Sequence, residues 1–273
     1  MNNLEKWFPL ISIILVAISY FLHKKIKANK AMTLNETLSN VTIFLIWKYI
    51  FFIGGEILQF SIYNYFSKFS IFSFKNSTIF FILSIFIVDF FYYWKHRFEH
   101  EIPFFWAQHA VHHNSREFNF STSLRLPWIG SYLTWVFFLP LVFIGFSPLQ
   151  IIMAYKVILT YQYLIHTEYI KNLGVFEKIF NTPSNHRVHH GRNKIYLDKN
   201  YGGIFIIWDI LFKTYIPEIE SVQYGTTKEL KSKSPLMVNL QPWQDLLKYT
   251  KKRNSLVDKC RYLFLPPTKK SNH

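Results

Sequence analysis

The sequence predicts an all-α, multi-pass integral membrane protein with four or five transmembrane or re-entrant helices and a cytosolic, histidine-rich helical cap. Three observations carry this expectation. Half of the 273 residues are hydrophobic and a fifth are aromatic, a composition that favours a membrane protein. Several apolar windows approach or reach the roughly 17 to 25 residues that a spanning helix needs. Nine of the eleven histidines fall between His96 and His190, at spacings of three and four residues that place side chains on one helix face.

The first apolar segment, 8–22, lies between Trp7 and His23, and no small-residue cleavage site follows it, so it reads as mature structure rather than a removed leader. The second, about 41–60, contains Lys48 and Glu56, eight residues apart and close to one face, where they could pair. The third, about 78–94, runs without Gly or Pro into the first histidine cluster, which predicts one helix continuing out of the membrane. The fourth and fifth, about 129–146 and 148–165, are separated only by Gly145-Phe146-Ser147-Pro148, the break of a transmembrane or re-entrant hairpin.

A hairpin that leaves and returns puts all nine histidines on one side. By the same parity the basic run Lys24 to Lys30 lies on that side, and the positive-inside rule makes it cytoplasmic, in a bacterial inner membrane or the endoplasmic reticulum. From Lys171 onward, eighteen of the 31 Lys and Arg stand against eight acids with no further span, as expected for a cytosolic tail. The domain division is therefore 1–77 for N-terminal membrane segments, 78–215 for the histidine-box region and 216–273 for the basic tail. The net charge of +15 suits anionic headgroups, worth about 1 kcal/mol per basic residue near the surface, better than a nucleic-acid partner. A single cysteine, Cys260, excludes an intrachain disulfide. His23 reads as interfacial and His273 as solvent-exposed.

The clusters are His96 with His100, then His109, His112 and His113, then His186, His189 and His190, with His166 alone. Imidazole binds zinc, copper, iron and nickel. One zinc-type site takes four ligands, so nine convergent histidines point to two metals. Spacing does not name the metal. A zinc-dependent lipid hydrolase and a metal transporter or sensor stay open beside a redox enzyme, and a purely structural protein would leave the histidines without a use.

The boxes, their order and their place between apolar segments resemble the fatty acid hydroxylase and sterol desaturase superfamily over roughly residues 80–215. Within it, the chain is similar to the alkylglycerol monooxygenase branch and its bacterial members through Trp106-Ala107-Gln108-His109, Phe118 to Arg125 and Ile165-His166-Thr167-Glu168. Most specific are the block Asn181 to Asn193, the run Asp198-Lys199-Asn200-Tyr201-Gly202-Gly203 and Ile206-Ile207-Trp208-Asp209.

The resemblance implies two iron ions held by His96, His100, His109, His112, His113, His166, His186, His189 and His190. It also implies O2 as co-substrate and hydroxylation or desaturation of a lipid substrate. No haem-binding His-Pro-Gly-Gly, Rossmann glycine fingerprint or cysteine cluster is present, so electrons are expected from a separate donor: a reductase, cytochrome b5, ferredoxin or pterin.

Metal-bound histidines usually hand their second ring nitrogen to a carboxylate or carbonyl. The acids placed to serve are Glu101, Asp89, Glu168, Asp198 and Asp209. Glu101 leads, because it adjoins His100 and the alkylglycerol monooxygenase pattern carries an acid there. Asp89, two helical turns before His96, sits where a bare charge costs about 2.5 to 3.5 kcal/mol on insertion scales, so it needs a partner such as Lys95 or a histidine. Glu101 and Asp89 are the expected catalytic acids. Arg187, Arg192 and Lys194 could bind a lipid phosphate.

Overall fold

A computed structural model describes residues 3–26, 32–74, 77–230 and 232–266. Residues 27–30 of the basic run and His273 lie outside the described residues, as does the side chain of His23. The described chain is helical, with only two isolated antiparallel bridges, Phe180 to Phe205 and Gly191 to Tyr224.

Helix α1 is Asn3–Ile26. Helix α2, Leu34–Ile46, passes through a π-helical turn at Trp47–Phe52 into α3, Ile53–Phe66. Helix α4 is Thr78–Glu101, and α5 is Pro103–His113. Helices α6, Trp135–Ile144, and α7, Pro148–Leu164, form the hairpin. Short helices α8, Pro183–His189, and α9, Ile207–Leu211, lie in the long loop region that follows. Helices α10, Pro235–Lys251, and α11, Leu256–Phe264, close the described chain, with α10 packed on α5 and α2.

Two helical stretches are long and apolar enough to cross a membrane, Leu34–Phe69 and Thr78–Glu101. Only 17% and 33% of their most apolar windows are buried. The apolar residues left exposed, among them Ile50, Ile53, Ile57, Ile79 and Ile82, form a surface that lipid tails could cover. Apolar stretches at Pro9–Phe21 and Ile129–Ile144 are shorter. Helix α6, at 1.5 Å per residue, is far too short to span alone, which fits a re-entrant hairpin.

Local chemistry sets the breaks. Pro103 forces the preceding Ile102 into extended geometry (φ −104°, ψ 119°) and then serves as the first residue of α5, where its missing N–H costs nothing. Gly145 ends α6 at φ 123°, a conformation that favours glycine, and any Cβ there would strike the Phe72 backbone. Ser147 and Gln150 then make a reciprocal capping box for α7. The main core is where α3, α4, α6 and α7 meet, built on Tyr63, Val88, Phe138, Leu141, Ile151 and Ile158.

Lys48 lies within the π-helical turn, whose wider geometry changes its register relative to Glu56. Glu56 pairs with Lys156 of α7, while the Lys48 ammonium lies 4.1 Å from the Phe52 ring centroid.

Candidate metal centre

Four separate pieces of chain deliver the nine histidines. The last turns of α4 carry His96 and His100; α5 carries His109, His112 and His113; His166 follows α7; α8 and its C-cap carry His186, His189 and His190. Helix α8 starts where the sequence signals it, with Thr182 accepting a hydrogen bond from the Asn185 N–H and Pro183 in the first helical position.

The histidines converge in two groups. His96, His100, His109, His113 and His189 place one ring nitrogen each within 4.8 Å of one another, and His112, His166, His186 and His190 do the same. His112 is partly exposed and the other eight are buried. Adjacent Nε2 atoms stand 3.0 Å apart for His96 and His109, 3.1 Å for His109 and His113, and 3.1 Å for His113 and His189. In the second group the spacings are 3.2 Å for His112 and His166 and 3.1 Å for His166 and His186.

The opposite ring nitrogens fix the tautomers. His96 Nδ1 donates to the Tyr201 carbonyl at 2.8 Å, His189 Nδ1 to the Lys199 carbonyl at 3.0 Å, and His166 Nδ1 to the Gln162 carbonyl at 2.6 Å. His109 Nδ1 lies 3.5 Å from Glu99 Oε2. With Nδ1 protonated, the Nε2 atoms of His96, His189 and His166 present bare lone pairs. His96 Nε2 thus turns its lone pair toward His109 Nε2 at 3.0 Å, a spacing at which both nitrogens could share a bound cation.

The spacing itself suits such an ion. Two nitrogens bound at about 2.1 Å and at right angles to each other stand about 3.0 Å apart. His186 Nδ1 and His190 Nε2 are buried without a hydrogen-bond partner among the described residues. The residues thus fit a pair of metal ions. Burial holds the imidazoles of His109, His112, His113, His186 and His190 well below the usual histidine range, and neighbouring histidines add to the effect. Burial also pushes His166 down to about 3 and His189 to about 4, against the opposing pull of their carbonyl partners. All are neutral at pH 7, as ligands must be.

The acids occupy other places than the sequence suggested. Glu101 pairs with Arg97 at 2.9 Å and is not among the converging side chains. Asp89 accepts from the Ile204 N–H at 2.6 Å, the Phe205 N–H at 3.1 Å and Trp208 Nε1 at 2.9 Å. Its partner is thus neither Lys95 nor a histidine. Asp209 accepts from the Tyr201 and Gly202 N–H groups at 2.8 and 2.7 Å, and Glu168 accepts from Tyr224 at 2.9 Å. Gly203 makes the contact with Asp89 feasible, because a Cβ there would collide with the carboxylate.

Residues the sequence reading passed over do touch the site. Glu99 binds Lys95 at 2.6 Å and Gln108 at 2.9 Å, and approaches His109. The Lys95 and Glu99 spacing of four residues on a helix was the available signal. Arg187, a sequence candidate for lipid phosphate, is fully engaged: it grips Glu218 and donates to the Thr167 and Ile170 carbonyls at 3.0 and 2.7 Å. That clamp ties α8 to the segment after His166.

An apolar cavity of about 220 Å³ opens between the α2 to α3 helix, α4 and α7. Trp47, Phe52, Leu124, Ile152 and Leu159 form its apolar wall, and His96, His109, His112, His166 and His186, drawn from both groups, also line it.

Fold and site together define a helical protein with two helices long and apolar enough to cross a membrane and two polyhistidine groups whose members line an apolar cavity. Residues 81–214, about half of the chain, match the model of the fatty acid hydroxylase family. It is 48% identical over 152 residues to the human alkylglycerol monooxygenase and 47% identical over 154 residues to that of Xenopus tropicalis. These matches cover 55% and 56% of this chain and about a third (34%) of each relative's length. The ornithine lipid hydroxylase OlsE of Rhizobium tropici is 29% identical over 157 residues, covering 54% of this chain and 45% of that protein. No solved structure matches the chain.

Proposed function

We propose that this protein is a membrane-bound di-iron oxygenase that hydroxylates, or desaturates, an unactivated C–H of a lipid chain using O2 and electrons from a separate donor. The observation that carries the reading is the pair of convergent histidine groups, with members of both lining a cavity walled by apolar side chains. The family match and the named activities of the relatives support it.

His96, His100, His109, His113 and His189 would hold one iron, and His112, His166, His186 and His190 the other. Iron bound there supplies the activation of O2 that an unactivated C–H requires. The chain's own part is placement. The apolar cavity takes an acyl or alkyl chain from the bilayer and sets one carbon beside the histidines, so the reacting groups meet in a near-attack arrangement. Helix packing around the cavity keeps bulk water from the reacting carbon. The carbonyls of Tyr201, Lys199 and Gln162 hold the imidazoles in the tautomer that keeps Nε2 free.

Asp89 and Asp209 act in this reading as positioning residues, since both bind the loop that presents the Tyr201 carbonyl. Glu101 orients Arg97. Electrons would come from a reductase, cytochrome b5, ferredoxin or pterin, and the histidine face would look into the cytoplasm, the side that the basic run Lys24 to Lys30 indicates.

The test is expression in a host membrane under 18O-labelled oxygen, followed by lipid mass spectrometry. A hydroxylated lipid carrying the label, absent in H112A and H189A, is expected. A product formed equally without oxygen would replace this reading with the zinc hydrolase.

A further inference from the structure

Helix α11, Leu256–Phe264, has no buried residue. At about 3.6 residues per turn its sequence divides into faces of different chemistry. Leu256, Val257, Cys260 and Phe264 share one face. Leu263 and Lys259 border that face on one side and Arg261 on the other, with Asp258 opposite.

A surface helix of a globular protein turns its apolar face toward the core. Here that face points away: Leu256, Val257 and Phe264 are 75%, 60% and 50% exposed, and Cys260 is exposed as well. Packing on α10 and α5 covers instead the adjoining edge, where Lys259, Tyr262 and Leu263 are half-buried and the Arg253 guanidinium lies 4.6 Å from the Tyr262 ring centroid.

The charge around the helix has one sign. Within residues 246–266, six Lys and Arg stand against one acid, Asp258, and Lys248, Lys251, Lys252, Arg253 and Arg261 are exposed. The place of the helix in the fold is equally defined. The Phe264 and Phe104 ring centroids are 5.4 Å apart, and Phe104 comes three residues after Glu101, where the apolar stretch Thr78–Glu101 ends. Helix α11 therefore lies beside the point at which α4 would leave a bilayer.

We propose that α11 is an interfacial helix that sets its apolar face into the boundary between headgroups and acyl chains of a membrane containing anionic lipid. Helices that lie in this plane combine an apolar face with Lys and Arg beside it, and anionic headgroups attract the basic residues. Lys259 and Arg261, on either border of the face, can cover apolar surface with their stems while their charged ends reach the phosphates. A second copy of the chain fits the face poorly, because pairing through it would bring two sets of the same cations together. The inference rests on the membrane-bound reading and is independent of the oxygenase chemistry.

Cys260 is the single cysteine of the chain and lies within the apolar face, so an environment-sensitive thiol fluorophore reports on that face in the full protein. The labelled protein is reconstituted into phosphatidylcholine vesicles with and without phosphatidylglycerol. Quenching is then read with acyl-brominated lipid and with acrylamide, a neutral aqueous quencher. With phosphatidylglycerol present, brominated lipid should quench the probe and acrylamide should not. The K248Q/K251Q/R261Q variant changes three exposed side chains and should lower the ratio of docked to undocked helix about a hundredfold. L256Q/V257Q should abolish lipid quenching with the charge intact. The proposal is overturned by a probe open to acrylamide in anionic vesicles, by equal lipid quenching in wild type and both variants, or by equal lipid quenching with and without phosphatidylglycerol. Protection from acrylamide without lipid quenching also overturns it, since a protein then covers the face. Protein that fails to float with the vesicles contradicts the membrane-bound reading itself, and the proposal with it.

Discussion

The Nδ1 of His96 stands 2.8 Å from the carbonyl oxygen of Tyr201, and that carbonyl is held in place by two buried aspartates. Asp209 fixes the Tyr201 and Gly202 N–H groups, and Asp89 fixes those of Ile204 and Phe205. The turn before it passes through Asp198 and Asn200, both at φ near +60°, and delivers the Lys199 carbonyl to His189. One loop therefore orients two histidines of the same group.

This gives a first prediction. D89N keeps the shape but replaces an acceptor with an amide that cannot receive the same N–H groups, leaving buried donors unpaired at roughly 1 to 3 kcal/mol each. The thermal midpoint should fall, and iron content should fall with it, as measured by melting and elemental analysis of the purified protein. Unchanged iron content in D89N would remove the loop from the account of the site.

Glu99 gives a second. E99Q strands the Lys95 ammonium, whose side chain is only 8% exposed, and breaking one side of a buried ion pair costs about 3 to 5 kcal/mol. Replacing both, as in K95M/E99L, should recover most of that stability without recovering activity, because His109 still lacks its carboxylate neighbour. Chemical denaturation and turnover, measured side by side, separate the two effects.

A third concerns substrate entry. Leu159 lines the apolar cavity and is 36% exposed, so L159W narrows the cavity without burying a misfit in the core. KM for the lipid should rise with iron content unchanged, the signature of lost substrate binding. A fall in kcat alone, at constant KM, would place Leu159 outside the substrate path.

Acid stability supplies a fourth. The imidazoles of His189 and His166 titrate at about 4 and about 3 in the folded chain, below the unfolded value of about 6.5. The unfolded chain therefore binds more protons in that window, and stability is full above about 6.5 and lost as pH falls toward 3 to 4. Metal-free protein should show this loss in melting scans across pH 7 to 4; a midpoint that rises on acidification would contradict it.

Much of this arrangement is legible in the sequence. The continuous helix from Thr78 through His100, the hairpin at Gly145 and the gathering of His166 with the third box all follow from apolar length, Gly and Pro punctuation and parity. What could not be read is backbone. The carbonyls of Tyr201, Lys199 and Gln162 carry no sequence signal, and their positions depend on left-handed residues at Asp198 and Asn200. For the same reason acids near histidines in sequence, Glu101 above all, looked closer to the site than they are, while Glu99 was hidden between His96 and His100.

The measurement that bears most directly on the central claim is the metal content of protein purified from membranes, combined with Mössbauer spectroscopy of the iron. Two irons per chain, with H166A retaining about one and H96A losing the other, are expected from the two histidine groups. One metal per chain, or stoichiometric zinc in place of iron, would contradict the di-iron site.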